Sequence, residues 1–401
     1  MYSVLQVAPA LEAGGVERTT IEIAAAIRRA GGLALVASAG GRLERELEAA
    51  GGELIRLPVN SKNPIEMALN VGRLARVGKA RGINLIHARS RAPAWSAMFA
   101  ARRLKVPFVT TYHGVYNGRT PLKRFYNSVM ARGDIVIANS DYTRAHVLKE
   151  YDLDPDQVVS IPRGVDIAEF NPEMIAPAAI AAMRASWGLE PNDSRFVVIL
   201  PARLTRWKGQ RTLIDAIAML EKRRPGQTFA VLAGDAQGRM GYEQELRGTI
   251  GENSLQGRVV ITGHISQMAT ALAAADVAAF PSLEPEAFGR GAIEAQAMGK
   301  PVVAAGHGGL AETVVDGSTG YLVGPGDSKA LADAIERLLD MGPEAREAMG
   351  RRGRDRAARL YTKAALQAST LQIYDRLLER SSTGSKRSAR MMPSETTQDG
   401  L

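Results

Sequence analysis

The chain contains no cysteine, which excludes disulfides, thiolate nucleophiles and cysteine-held metal centres. Histidine is scarce, at five residues in 401, and aromatic residues make up only 5%. Few aromatics leave little to stack against bases, and no nucleic-acid-binding motif is evident, so no nucleic-acid partner is expected. No apolar run is long enough to span a bilayer. The opening Met1–Val7 lacks the basic start and cleavage site of a secretory leader, so the expected location is cytoplasmic. Acid is missing from one long stretch: between Glu66 and Asp134 there is none, against 13 basic residues. That field attracts anionic surfaces and accounts for much of the net charge of +9.

What is present is glycine, 40 of it, between short apolar runs that alternate with amphipathic segments. This is the pattern of parallel sheets covered by helices. Strands are expected at 2–9, 33–37, 53–57, 84–88, 107–112, 134–139 and 158–162. A second series is expected at 196–201, 229–233, 259–262, 277–281, 301–305 and 321–323. The expectation is two Rossmann-like, doubly wound α/β domains, at 1–170 and 194–360. An Ala/Pro-rich connection at 171–193 joins them, a crossing helix follows at 361–380, and a disordered tail occupies 381–401. Leu366, Ile373 and Leu377 are the expected buried stripe of the crossing helix.

The most informative segment runs from Pro281 to Glu294. Glu286 and Glu294 are separated by seven residues, with a Phe-Gly turn between them that opens a helix. A strand, a glycine turn and a helix N-terminus together form an anion site, through free amides and the helix dipole. Ionised carboxylates accept only, so a pair of them beside such a site calls for hydroxyl partners. A nucleotide sugar offers both phosphates and hydroxyls. A second cluster, Arg203 to Gly209, follows the first strand of the second series and places two cations, Arg203 and Lys208, across a loop entering a helix. Fixed cations there would stabilise the negative charge of a departing diphosphate.

These segments, with Ala297–Ala304 and Gly308 to Val323, resemble the retaining glycosyltransferases of family 4, which have the GT-B fold. The resemblance implies a metal-independent transferase with no cofactor beyond its nucleotide-sugar co-substrate. It assigns Arg203 and Lys208 to the diphosphate, Glu286 to the donor sugar and Glu294 to the ribose. His113 becomes a positioning residue near the reacting carbon. Donor contacts are implied for Gly14 and Gly15, Gly234, Gly263 and His264, and the Phe288, Gly289 and Arg290 amides. Arg290 departs from the aliphatic residue frequent at its place in the family. The acceptor implied is a glycolipid or polysaccharide, such as a lipopolysaccharide precursor. Arg119, Lys123, Arg124 and Arg132 are the candidate acceptor or inner-membrane contacts, because Leu122, Phe125, Tyr126, Val129 and Met130 fall on one face of a basic-edged helix. Asp152-Leu153-Asp154 has a metal-binding spacing, but its proline-containing surroundings predict an exposed turn. Two alternatives stand beside the transferase: a nucleotide-sugar epimerase of related fold, and a non-catalytic nucleotide-sugar-binding protein.

Overall fold

The computed structural model describes the chain except residues 13, 117–119, 239 and 390–401, and for 381–389 it describes backbone only. Among the described residues, thirteen strands form two sheets. The first holds β1 (Ser3–Val7), β2 (Leu33–Ser38), β3 (Glu53–Arg56), β4 (Leu85–Ala88), β5 (Phe108–Tyr112), β6 (Ile135–Ala138) and β7 (Val158–Ser160), in the order β3-β2-β1-β4-β5-β6-β7. The second holds β8 (Phe196–Pro201), β9 (Thr228–Ala233), β10 (Val259–Ile261), β11 (Val277–Phe280), β12 (Val302–Ala305) and β13 (Gly320–Val323), in the order β10-β9-β8-β11-β12-β13. Every pairing is parallel. The strands read as continuous apolar runs because helices cover both faces of each sheet, as in the fully buried β11 (Val-Ala-Ala-Phe). Each expected strand is present, with its ends shifted by no more than two residues.

Two compact units contain these sheets. The first comprises 1–138, 147–161 and 367–401; the second comprises 139–146 and 162–366. In the first, the helix Lys363–Ala389 returns to the sheet from Gln367 onward. Tyr374, fully buried there, reaches His87 Nδ1 at 2.6 Å, and Ile373 and Leu377 are buried beside it.

Three expectations need correction. The stretch 171–193 is no loose connection: it carries the helix Pro177–Ser186, and Phe170, Trp187 and Leu189 join the core of the second unit. The last helix continues through 381–389, where composition pointed to a tail, while 390–401 lie outside the described residues. The basic amphipathic helix is broken. Helix Pro121–Asn127 gives way to a 3-10 turn, Ser128–Ala131, so Val129 and Met130 are buried while Leu122 and Phe125 face solvent. No described helix is long and apolar enough to cross a membrane.

Candidate active site

In the second unit the strand order reverses between β8 and β11, so the chain leaves these neighbouring strands in opposite directions along the sheet. The carboxyl ends of strands at such a reversal are the place where doubly wound sheets bind ligands. Both charged clusters of the sequence emerge there. Loop 202–209 follows β8 and carries Arg203 and Lys208; loop 281–289 follows β11 and carries Glu286.

Glycine lets the two loops touch. Gly209 has φ +75°, and a Cβ on it would lie 2.0 Å from the Pro281 carbonyl oxygen. The amide of Leu283 then donates to the Trp207 carbonyl at 2.7 Å. This contact brings Lys208 Nζ to 2.7 Å from Glu286 Oε1, in an ion pair whose side chains are only 17% and 12% exposed. Ser282, fully buried, donates its hydroxyl to the same oxygen. The Lys208 ammonium also lies 4.3 Å from the centroid of the Trp207 ring. A half-buried pair held from three sides is a fixed charge arrangement, unlike mobile surface ion pairs.

A third loop braces the second. After β12, His307 Nε2 lies 2.9 Å from the Ser282 carbonyl, and the Gly309 amide donates to the Glu286 carbonyl at 2.7 Å. Side chains are excluded at this crossing, because a Cβ on Gly308 or Gly309 would come within 2.5 and 2.4 Å of the Glu286–Phe288 backbone. Ser140 and Thr143, in the 139–146 segment of the same unit, donate to the Ala287 carbonyl. The carboxylate of Glu312 caps the neighbouring helix Asp141–Tyr151 by accepting from the Asp141 and Tyr142 amides. Burial raises the Glu312 carboxyl above its usual range, against the opposing effect of those amides.

Beyond Glu286 the chain turns through Gly289, φ +84°, into the helix Arg290–Ala297. Glu294 lies on its second turn, and Arg290 Nε donates to Glu294 Oε1 at 2.8 Å, one turn away. The question posed by Arg290 therefore has a structural answer: its guanidinium holds the second acid of the pair. Phe288 places its ring in the core, 5.7 Å from Tyr361, so only its backbone faces the turn. Arg203 is exposed and donates to Gln237 at 3.3 Å, while the buried Gln210 holds its carbonyl. Arg206, the neighbouring cation, pairs instead with Glu245 at 2.6 Å. Gly234 lies against the Ala202 carbonyl, where a Cβ would approach to 2.0 Å; Gly263 has φ +73° with open space beside it, and His264 is exposed.

The remaining candidates lie in the first unit. Gly14 and Gly15 begin the helix Gly15–Arg29 after β1, and His113 follows β5, half-buried. Arg124 pairs with Glu150 at 3.0 Å, and the Arg132 guanidinium lies over the Trp95 and Phe125 rings; Lys123 is exposed, and Arg119 falls outside the described residues. Asp154 caps a 3-10 turn by accepting from the Asp156 amide, as its exposed-turn reading requires.

Sequence reasoning gave no role to Ser282, His307 or Glu312. Ser282 and His307 are 25 positions apart, and only the adjacency of β11 and β12 joins them. The available signal was position, since each follows the end of a strand in a parallel sheet.

The comparisons agree with this geometry. Residues 13–169 match the family described as Glycosyltransferase Family 4, and residues 183–356 match Glycosyl transferases group 1. A D-inositol 3-phosphate glycosyltransferase of Xylanimonas cellulosilytica is 34% identical over 304 residues, 70% of this chain and 69% of that protein. A relative of the same description from Segniliparus rotundus is 33% identical over 276 residues, 65% of this chain and 59% of that protein. Among solved structures, a glycosyltransferase from Rickettsia africae is 33% identical, with a TM-score of 0.87 over 94% of this chain and 98% of that one. Anabaena HepE, solved with UDP-glucose, is 27% identical, with a TM-score of 0.81 over 94% of this chain and all of its own.

Proposed function

The chain belongs to the GT-B glycosyltransferases of group 1 and family 4, and from that premise we propose that it transfers a sugar, with retention, from a nucleoside diphosphate sugar to a glycan hydroxyl. The observation that carries the proposal is the Lys208–Glu286 pair, fixed at 2.7 Å at the switch point of the second unit. UDP is the nucleotide favoured, on the strength of the likeness to HepE.

In this reading Lys208 and Arg203 meet the diphosphate. As the bond from the anomeric carbon to the phosphate oxygen breaks, the electron pair passes to that oxygen, and the two cations stabilise the growing charge. The acceptor hydroxyl attacks from the same face, and its proton moves to the departing phosphate oxygen. The chemistry is metal-independent because lysine and arginine supply the charge stabilisation. Glu286 uses Oε1 to fix Lys208, leaving Oε2 for a sugar hydroxyl. Glu294, steadied by Arg290, accepts from the ribose hydroxyls. The Gly289 turn and the first amides of its helix face the donor phosphates or sugar. His113 and the Gly14-Gly15 turn position donor and acceptor.

We read the acceptor as a glycolipid or polysaccharide intermediate of the cell envelope, such as a lipopolysaccharide precursor, used on the cytoplasmic side. The names of the curated relatives favour a second reading, a soluble phosphorylated polyol. Transfer from UDP-sugars to each acceptor class, followed by NMR of the new linkage, tests both. An α-linked product from an α-linked donor is expected; an inverted linkage contradicts the mechanism. Epimerised donor in the absence of acceptor indicates an epimerase, and binding without turnover indicates a non-catalytic protein.

A further inference from the structure

The two carboxylate oxygens of Glu286 have different surroundings. Oε1 accepts from the Ser282 hydroxyl at 2.5 Å and lies 2.7 Å from the Lys208 ammonium, while Oε2 has no partner among the described residues. An oxygen engaged from two sides has little left to accept with, so Oε2 is the one open to a ligand. Ser282 fixes that choice, and it is itself fixed from another loop. It is fully buried two residues beyond β11, and no backbone amide among the described residues donates to its carbonyl. A buried carbonyl needs a donor, and His307 Nε2 supplies one at 2.9 Å. His307 stands two residues beyond β12, the strand paired with β11.

The acceptor is a carbonyl, so Nε2 carries the hydrogen, and the neutral ring keeps its lone pair on Nδ1. A charged ring would donate through Nε2 just as well, so the bond does not depend on the protonation of Nδ1. The imidazole is therefore placed to hold backbone rather than to move a proton. Two residues on, the Gly309 amide donates to the Glu286 carbonyl at 2.7 Å. His307 and Gly309 thus grip the Ser282–Glu286 span at both of its ends.

We propose that His307 is a positioning residue for recognition of the donor sugar. Through the Ser282 carbonyl it sets the Ser282 hydroxyl on Oε1, and so presents Oε2 of Glu286 to a hydroxyl of the transferred sugar. The inference deepens the transferase reading and rests on it. It gives His307 no contact with the nucleotide, which Glu294, Arg203 and Lys208 meet in that reading. Lys208 also keeps its place over the Trp207 ring. Loss of His307 is then felt by the sugar and not by the nucleoside diphosphate.

Two measurements on the full chain test it. Calorimetry gives the affinities for UDP, GDP and ADP and for their hexose conjugates, and release of nucleoside diphosphate from the preferred conjugate, with water as acceptor, gives turnover. In His307→Ala, kcat/KM should fall about tenfold, the scale of one hydrogen bond, with affinity for the free nucleoside diphosphate within about twofold of the parent's. His307→Gln, whose amide can place an N–H where Nε2 stands, should recover most of the loss. Ser282→Ala should reproduce it, and both alanine changes together should cost no more than either alone, because they break one chain of contacts. Parent-like turnover of His307→Ala overturns the inference, as does an equal loss of nucleoside diphosphate affinity, which would mark general damage to the fold. A loss in His307→Gln as large as in His307→Ala also overturns it, by making the imidazole a proton-transfer group. If His307→Ala does not fold, Ser282→Ala and His307→Gln decide by the same readings. A parent that binds none of the sugar nucleotides overturns the donor reading itself, and the inference with it.

Discussion

The two units share one architectural device and use it oppositely. Each parallel sheet reverses its strand order once, between β1 and β4 in the first unit and between β8 and β11 in the second. In the first, the residue leaving β4 is Arg89, fully enclosed, with its guanidinium donating to Gln6 Oε1 at 2.8 and 2.6 Å. Gln6 is itself tied to the Thr20 carbonyl, and His87 links Tyr374 to Thr111 alongside. In the second unit the corresponding loops leave an ion pair partly open to solvent. A switch point creates a crevice by topology alone, and side chains decide whether it becomes core or site. Burying a guanidinium so completely requires every hydrogen bond to be met, and such a network resists change. The Lys208–Glu286 pair keeps an edge open to solvent, and a ligand needs that access.

Substitution at the two places should separate stability from activity. Arg89→Met should produce the largest stability loss, about 3 kcal/mol, because it strands the buried Gln6 oxygen; urea unfolding measures it. A loss under about 1 kcal/mol would mean that the enclosed guanidinium is no more structural than a surface charge.

A second, smaller effect sharpens the same contrast through pH. Burial holds the His87 imidazole well below its usual value, with the Arg89 charge adding to the effect. The folded first unit therefore keeps His87 neutral, whereas the unfolded chain protonates it near pH 6.5. Stability from this source is complete above that pH and falls below it, by about 1.4 kcal/mol per pH unit. Hydrogen exchange of the β4 amides across pH 5 to 7 (allowing for intrinsic rates) should show the slope, and His87→Gln should remove it.

The smallest effect concerns Arg290, the residue that the family pattern left unexplained. Its pair with Glu294 resembles other one-turn helix pairs, worth only a few tenths of a kcal/mol. Arg290→Ala should raise the donor KM about twofold and leave kcat unchanged. A large fall in kcat would give Arg290 a direct part in the chemistry.

The layered fold was legible because buried parallel strands announce themselves as apolar runs, and all thirteen were placed. The charged members of the candidate site in the second unit were legible too, since the loops carrying Lys208 and Glu286 each follow such a run. Their mutual contact was not, because it depends on Gly209 admitting the Pro281 carbonyl across the sheet. Ser282 and His307 stayed silent for the same reason. The amphipathic reading of 119–132 failed in an instructive way: a change from α to 3-10 geometry at Ser128 alters the angular step and sends Val129 and Met130 inward. Composition misread 171–193 because alanine-rich sequence lacks strand character yet makes good helix. Arg89 gave no warning at all, as nothing local marks one basic residue among thirteen as the buried one.

The central claim is that the Lys208–Glu286 pair serves donor chemistry rather than folding. Turnover of UDP-sugars by Lys208→Ala and Glu286→Ala, measured beside their urea midpoints, tests it most directly. The account predicts at least a roughly hundredfold loss of kcat/KM in each variant, the scale of losing one charge-stabilising group, in chains that keep a cooperative urea transition. Parent-like turnover in both folded variants would contradict it.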